Sequence, residues 1–204
     1  MKKITLAFAL AAIGCTSASV MAQESPWLVR ARVVDINTAN KSDPVPALGL
    51  PADQINVSNK VIPEFDITYF FTPNWSSELI LTYPQKHDVS VNGLGNIGTV
   101  KQLPPTLTAQ YHFSPEQQIS PYLGLGVNYT NFSDVNLAHG ITLSSGSWGY
   151  ALQGGVDYKL DKNWSLNFDV KYVEMRSNLY AGGSTVGNIQ INPWLIGVGV
   201  GYRF

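Results

Sequence analysis

Cysteine is nearly missing. The 204-residue chain has one, Cys15, close to the N-terminus. Charge is scarce too: only 13% of residues are Asp, Glu, Lys or Arg, where about 25% is usual for soluble domains. No run of about 18 apolar residues occurs, so no helix of the usual length crosses a bilayer. With 13 basic and 14 acidic residues the formal net charge is −1, which gives no basic footprint for nucleic acid. No cluster of His, Cys, Asp and Glu has the spacing of a metal site, and no cofactor is expected.

The first 22 residues read as a cleaved signal peptide. Lys2 and Lys3 precede the apolar run Ile4 to Ile13, and small residues lead to Val20-Met21-Ala22. Ala12-Ile13-Gly14-Cys15 weakly resembles a lipoprotein cleavage site, but Ala12 is a poor first position and Ala22 offers a better cut. Cleavage after Ala22 leaves residues 23–204 with 11 basic and 14 acidic residues, a net −3. That mature chain has no disulfide, thiol nucleophile or cysteine metal site.

What the chain has instead is alternation. In the ending INPWLIGVGVGYRF, Trp194, Ile196, Val198, Val200, Tyr202 and Phe204 share one face. Leu195, Gly197, Gly199, Gly201 and Arg203 share the other. One face suits lipid and the other a crowded interior, although a half-buried strand of a soluble sandwich has a similar pattern. Seven earlier segments alternate likewise: about 27–36, 61–71, 75–83, 103–113, 121–130, 148–159 and 164–172. Long loops (37–60, 84–101, 131–146, 177–188) alternate with short turns, and aromatics such as Tyr69, Trp75, Tyr111, Tyr158 and Trp164 gather near the short turns. This sidedness predicts an all-β, eight-stranded antiparallel transmembrane β-barrel with short periplasmic turns and long extracellular loops, in a bacterial outer membrane. A terminal Phe204 after such a strand resembles the outer-membrane targeting signal read by the barrel-assembly machinery.

The alternation also predicts the lumen. Arg30, Arg32, Lys159, Lys171 and Arg203 point inward, as do Glu64, Asp66, Glu78, Asp157 and Asp169. In a closed barrel the first strand lies between the second and the last. Arg30 and Arg32 then face Glu64 and Asp66, with Arg203 on the other side, and Asp157 and Lys159 sit beside Asp169 and Lys171. A paired network filling the narrow lumen is favoured over a hydrophilic pore, because unpaired charges there are costly. The carboxylates have basic partners, no Ser-His-Asp order is persuasive, and His87, His112 and His139 read as polar fillers. A lipid-modifying enzyme is therefore disfavoured.

Above the charges the sequence turns apolar. Ile62 and Ile80 point inward, and the loops carry Leu48, Leu50 and Leu94 among other aliphatics. The expectation is an apolar funnel at the cell surface above a charged plug, against ordinary loop packing. Pro63, Pro84, Pro104, Pro105 and Pro193 lie in the outer parts of strands, where each removes a ladder donor. A wall interrupted there can release an apolar solute sideways into membrane lipid.

Four stretches carry a family resemblance: Leu103 to Leu107 (LPPTL), Pro121 to Thr130 (PYLGLGVNYT), Gly154 to Tyr158 (GGVDY) and the ending from Asn192 to Phe204. Together they resemble the OmpW family, to which the alkane-uptake protein AlkL belongs. The resemblance implies an eight-stranded outer-membrane barrel passing small hydrophobic molecules by lateral release. It also implies an apolar constriction at about Ile80 and a second gate position near Lys171, where this chain carries a charge. Some members serve as bacteriocin receptors, so the alternative expectation is a structural or stress-response barrel whose loops bind bacteriocin or phage.

Overall fold

The computed structural model describes residues 25–46 and 49–204. The expected signal segment 1–22 with Cys15, and Leu48, lie outside the described residues. The described residues form fifteen strands in order: β1 (Trp27–Asn37), β2 (Lys41–Ser42), β3 (Ile55–Val57), β4 (Lys60–Phe70), β5 (Trp75–Leu81), β6 (Gln85–Val91), β7 (Gly95–Leu103), β8 (Thr106–His112), β9 (Ile119–Leu137), β10 (Ile141–Leu143), β11 (Gly146–Lys159), β12 (Trp164–Val173), β13 (Arg176–Ala181), β14 (Ser184–Gln190) and β15 (Trp194–Arg203).

Eight of them make a closed antiparallel barrel in the order β1, β4, β5, β8, β9, β11, β12, β15, with β15 returning to β1. Closure removes both sheet edges, which a strand in lipid requires. Every barrel strand alternates as the sequence dictates. In β4, Phe65, Ile67 and Tyr69 face outward while Glu64, Asp66 and Thr68 are buried.

The outward face is bounded by two aromatic rows. The lower holds Trp27 against Tyr69 (4.8 Å between ring centroids), Trp75 against Tyr111 (5.0 Å) and Trp164 against Tyr202 (4.9 Å). The upper holds Tyr129 against Trp148 (4.8 Å) and Tyr172 against Trp194 (5.3 Å). Trp164 pairs with Tyr202 and Tyr172 with Trp194, eight residues up both strands. At ~3.3 Å per residue and ~40° tilt the rows stand ~20 Å apart, the scale of an apolar band.

The outer segments correct the expectation of loops. Residues 84–101 become most of the β6–β7 hairpin, residues 177–188 most of β13–β14, and β9 runs through Leu137 into the supposed third loop. The reason is backbone pairing. Leaving lipid relaxes the need for strands but does not abolish it, and the aliphatics of these segments gain by packing together.

The glycine face of β15 has a packing cause. Gly197, Gly199 and Gly201 lie opposite β1, in register with Val34, Arg32 and Arg30. A Cβ at Gly199 would collide with the Ala31 carbonyl oxygen and sit 2.8 Å from both Cα and Cγ of Arg32. The glycines therefore make room for two arginine stems inside a narrow lumen. Gly199→Val is expected to cost about 3 kcal/mol by overpacking and strand displacement. Urea unfolding in lipid would show it, and an unshifted midpoint would mean that the lumen has slack.

Candidate functional site

The interior is layered. At mid-height Arg30 and Arg32 cross the lumen. Arg30 lies 2.7 Å from Asp157, 3.3 Å from Asp66 and 3.4 Å from Glu78. Arg32 lies 2.7 Å from Asp66, 2.9 Å from Glu78 and 3.1 Å from Glu64. Lys171 reaches Glu64 at 2.6 Å and Asp169 at 3.1 Å. Neutral groups finish the shell: Gln153 donates to Glu78 and Asp169, both at 2.8 Å, and the Tyr122 hydroxyl donates to Asp169 at 2.7 Å. All these side chains are buried, so the layer is a plug that bars an apolar solute.

The plug draws together eight of the ten charges expected there, with two corrections to their arrangement. Lys159 sits lower, at the periplasmic mouth, with its ammonium on the Pro115 carbonyl oxygen. Arg203 is there too, its Nε donating to the Ser25 carbonyl at 2.9 Å and its guanidinium 4.4 Å over the Phe70 ring. Both line a shallow cavity of about 40 Å³ at that end. Nor does Asp157 sit beside Asp169. It registers with Asn167, which donates to it at 2.8 Å. Strand stagger and the reach of Arg and Lys across a narrow lumen override nearest-strand pairing.

Above the plug is a second cavity of about 30 Å³. Its apolar lining includes Ile36, Ile62, Ile80, Val173, Met175 and Leu195. Glu64 and Lys171 form its floor, and Thr82, Gln85, Gln102 and Thr106 add polar groups. Ile62 and Ile80 are therefore together, beside Lys171, as the alternation required. The sequence reading missed Val173, Met175, Gln85 and Gln102. A signal was present: Gln85, His87, Val89 and Val91 alternate with the exposed Lys86 and Asp88.

The wall beside this cavity is incomplete. β4 pairs with β5 from Phe70–Ser76 up to Phe65–Leu81. Beyond that, among the described residues, no strand pairing joins residues 59–64 to residues 82–87. Side chains bridge the gap: Thr82 Oγ1 to the Pro63 carbonyl (3.4 Å) and Lys60 Nζ to the Lys86 carbonyl (3.0 Å). Backbone bonding resumes at Ser58 N to the Asp88 carbonyl (3.0 Å). Pro63 and Pro84 flank the gap and supply no donor to it. Pro63 lies in register with Val33, and Val33 with Val198, both outward on the apolar band.

The other prolines differ. Pro104 and Pro105 break the strand between β7 and β8, yet the Pro105 carbonyl still accepts from Tyr129 N at 3.1 Å, so that side stays linked. Pro193 is a correction: it lines the cavity, but its carbonyl accepts from Val173 N at 3.1 Å within a continuous ladder.

The expected open funnel is also corrected. Above the cavity, Val45, Ile55, Val89, Val91, Leu179 and Ile189 are buried in one apolar cluster, with Leu50 packed against it. A space of about 20 Å³ remains within it. Leu94 stands apart at the β6–β7 tip, 68% exposed. Apolar side chains left facing water close on one another, and this cap is how the chain hides them.

His87 anchors the β6–β7 hairpin. Its Nδ1 lies 2.7 Å from the Ser58 carbonyl, so Nδ1 carries the proton and donates. Its Nε2 then accepts from Gln102 Nε2 at 3.0 Å. Burial holds His87 below its ordinary pKa, aided by Lys60 and opposed by the Ser58 bond and Asp88. The neutral form is the folded one. The hairpin is therefore at full stability above the unfolded value of about 6.5 and loses it as pH falls below that. Protection of the Lys86–Asp88 amides against exchange, relative to the intrinsic rate at each pH, should fall as pH drops below about 6.5, and His87→Gln should remove that dependence. A flat profile in the native chain would refute the anchor.

The eight-stranded barrel matches known outer-membrane proteins. The profile of the OmpW family covers residues 23–204. The chain belongs to the OmpW family. It is 41% identical to uncharacterized outer-membrane protein y4mB of Sinorhizobium fredii, over 91% of this chain and 82% of that one. It is 28% identical to outer membrane protein AlkL of Ectopseudomonas oleovorans, over 76% of this chain and 71% of that one. The crystal structure of the outer membrane protein OprG from Pseudomonas aeruginosa superposes with a TM-score of 0.77 at 27% identity, covering 91% of this chain and 99% of that one. This OmpW-family protein is thus an outer-membrane β-barrel.

Proposed function

We propose that this OmpW-family barrel takes small hydrophobic molecules from the cell surface and releases them sideways into the outer membrane. The observation that carries the reading is the apolar chamber at Ile62 and Ile80, set directly behind an unpaired stretch of wall at Pro63 and Pro84. The plug below closes the straight route. Similarity to AlkL supports the same direction, since the family resemblance in the sequence implies passage of small hydrophobic molecules. A space of about 30 Å³ holds about two waters, so the described state is closed and entry needs the outer hairpins to part. The C-terminal strand ending in Phe204 is the part offered to the assembly machinery.

The test is uptake of a labelled alkane by cells lacking the protein, with and without the gene restored. Label should appear first in outer-membrane lipid and later in the periplasm. Equal uptake in both strains would favour a second reading, a surface-binding barrel for bacteriocin or phage. The near-solid packing of the outer hairpins supports that alternative.

A further inference from the structure

The chamber is apolar but not uniformly so. Setting aside carboxylate oxygens that face Arg32 and Lys171, the buried side-chain oxygens without a partner among the described residues are Ser42 Oγ, Gln85 Oε1 and Gln102 Oε1. Two of these three belong to residues lining the one chamber, and each glutamine is about 1–2% exposed. A buried amide oxygen left unpaired is costly.

Neither amide can turn to relieve this. Gln102 gives its NH₂ to His87 Nε2, whose lone pair is free because Ser58 takes the proton on Nδ1. Flipped, Gln102 would set its oxygen against that lone pair. Gln85 gives its NH₂ to the Tyr83 carbonyl at 2.8 Å and to Thr82 Oγ1 at 3.3 Å. Flipped, it would set oxygen against carbonyl oxygen. Local bonding at the wall gap thus holds both glutamines with their acceptors unused.

The geometry points to a chamber that recognises the donor end of an amphiphile. We assign it to a neutral molecule with an apolar tail and a terminal hydroxyl, a medium-chain primary alcohol. The hydroxyl donates to Gln85 or Gln102. The space of about 30 Å³ takes a hydroxymethyl end between Ile62 and Ile80 and little more, so the tail leaves through the gap at Pro63, which must part to hold it. A carboxylate of equal length is disfavoured: it brings no donor, it meets Glu64, and Lys171 is already paired with Glu64 and Asp169. A plain alkane leaves both acceptors unmet. This assignment rests on the uptake reading and narrows its substrate class.

The experiment has two arms. The barrel in lipid nanodiscs is titrated with 1-octanol, n-octane and octanoate while the side-chain amide signals of Gln85 and Gln102 are followed by NMR. Octanol alone should move both. In cells, octanol should enter about fivefold faster than octane through the protein-dependent route, the ratio one net hydrogen bond provides. Gln85→Met with Gln102→Met should collapse that ratio toward one. Amide signals that stay still with octanol, or move equally with octane, would overturn the assignment and leave water as the partner of these oxygens. Should the double variant fail to fold, the titration of the native chain decides by itself. Equal uptake of both tracers with and without the native protein would sink the uptake reading instead, while the amide titration still reports on the head site.

Discussion

Replacing Arg32 by methionine is expected to destabilise the barrel by about 3–5 kcal/mol, the usual consequence of removing one partner from a buried ionic network. Arg32 contacts Glu64, Asp66 and Glu78 within 3.1 Å and donates from Nε to Asn167 at 2.6 Å. Methionine matches its stem but leaves three carboxylates to Arg30 and Lys171. Those two also serve Asp157 and Asp169. Removing a carboxylate together with the cation should restore part of the loss, so Arg32→Met with Glu78→Gln should be more stable than Arg32→Met alone. Urea unfolding in lipid measures both. A loss below about 1 kcal/mol would mean that water reaches the plug and screens it.

Ile80→Arg is expected to lower protein-dependent uptake of an apolar tracer to the level of cells without the protein. Ile80 is 4% exposed, registers with Asp66 on one side and Thr106 on the other, and forms part of the chamber. A guanidinium there fills a space sized for about two waters and brings charge to the apolar chamber above the plug. Ile80→Leu keeps volume and polarity and should keep uptake. Sheet content by circular dichroism separates a blocked chamber from a lost fold. Unchanged uptake in a folded Ile80→Arg protein would rule out passage by this chamber.

Much of this was legible because strand geometry is local. A period of two assigns every residue of a barrel strand to lipid or lumen without knowledge of its neighbours. Ile62, Ile80 and eight lumen charges could therefore be named from spacing. The outer hairpins were less legible, because their strands are short, charged on one face and interrupted by glycine. The alternation of Gln85, His87, Val89 and Val91 was nonetheless readable. Leu94 misled because an apolar residue in a loop carries no sign of which way the hairpin tip turns.

The sequence by itself determined the membrane, the number of barrel strands, the face of each side chain on them and the presence of a charged interior below an apolar one. Each of these follows from composition or from a two-residue repeat. Only the tertiary structure decided which charges meet, that Lys159 and Arg203 sit at the mouth, and that the outer aliphatics close into a cap. It alone decided that strand pairing lapses beside Pro63 and Pro84 and continues at Pro193. These depend on stagger between strands distant in sequence and on whether both edges of a strand find partners. A proline removes one donor wherever it occurs, but here a gap appears only where the neighbouring strand also stops pairing, beyond Leu81.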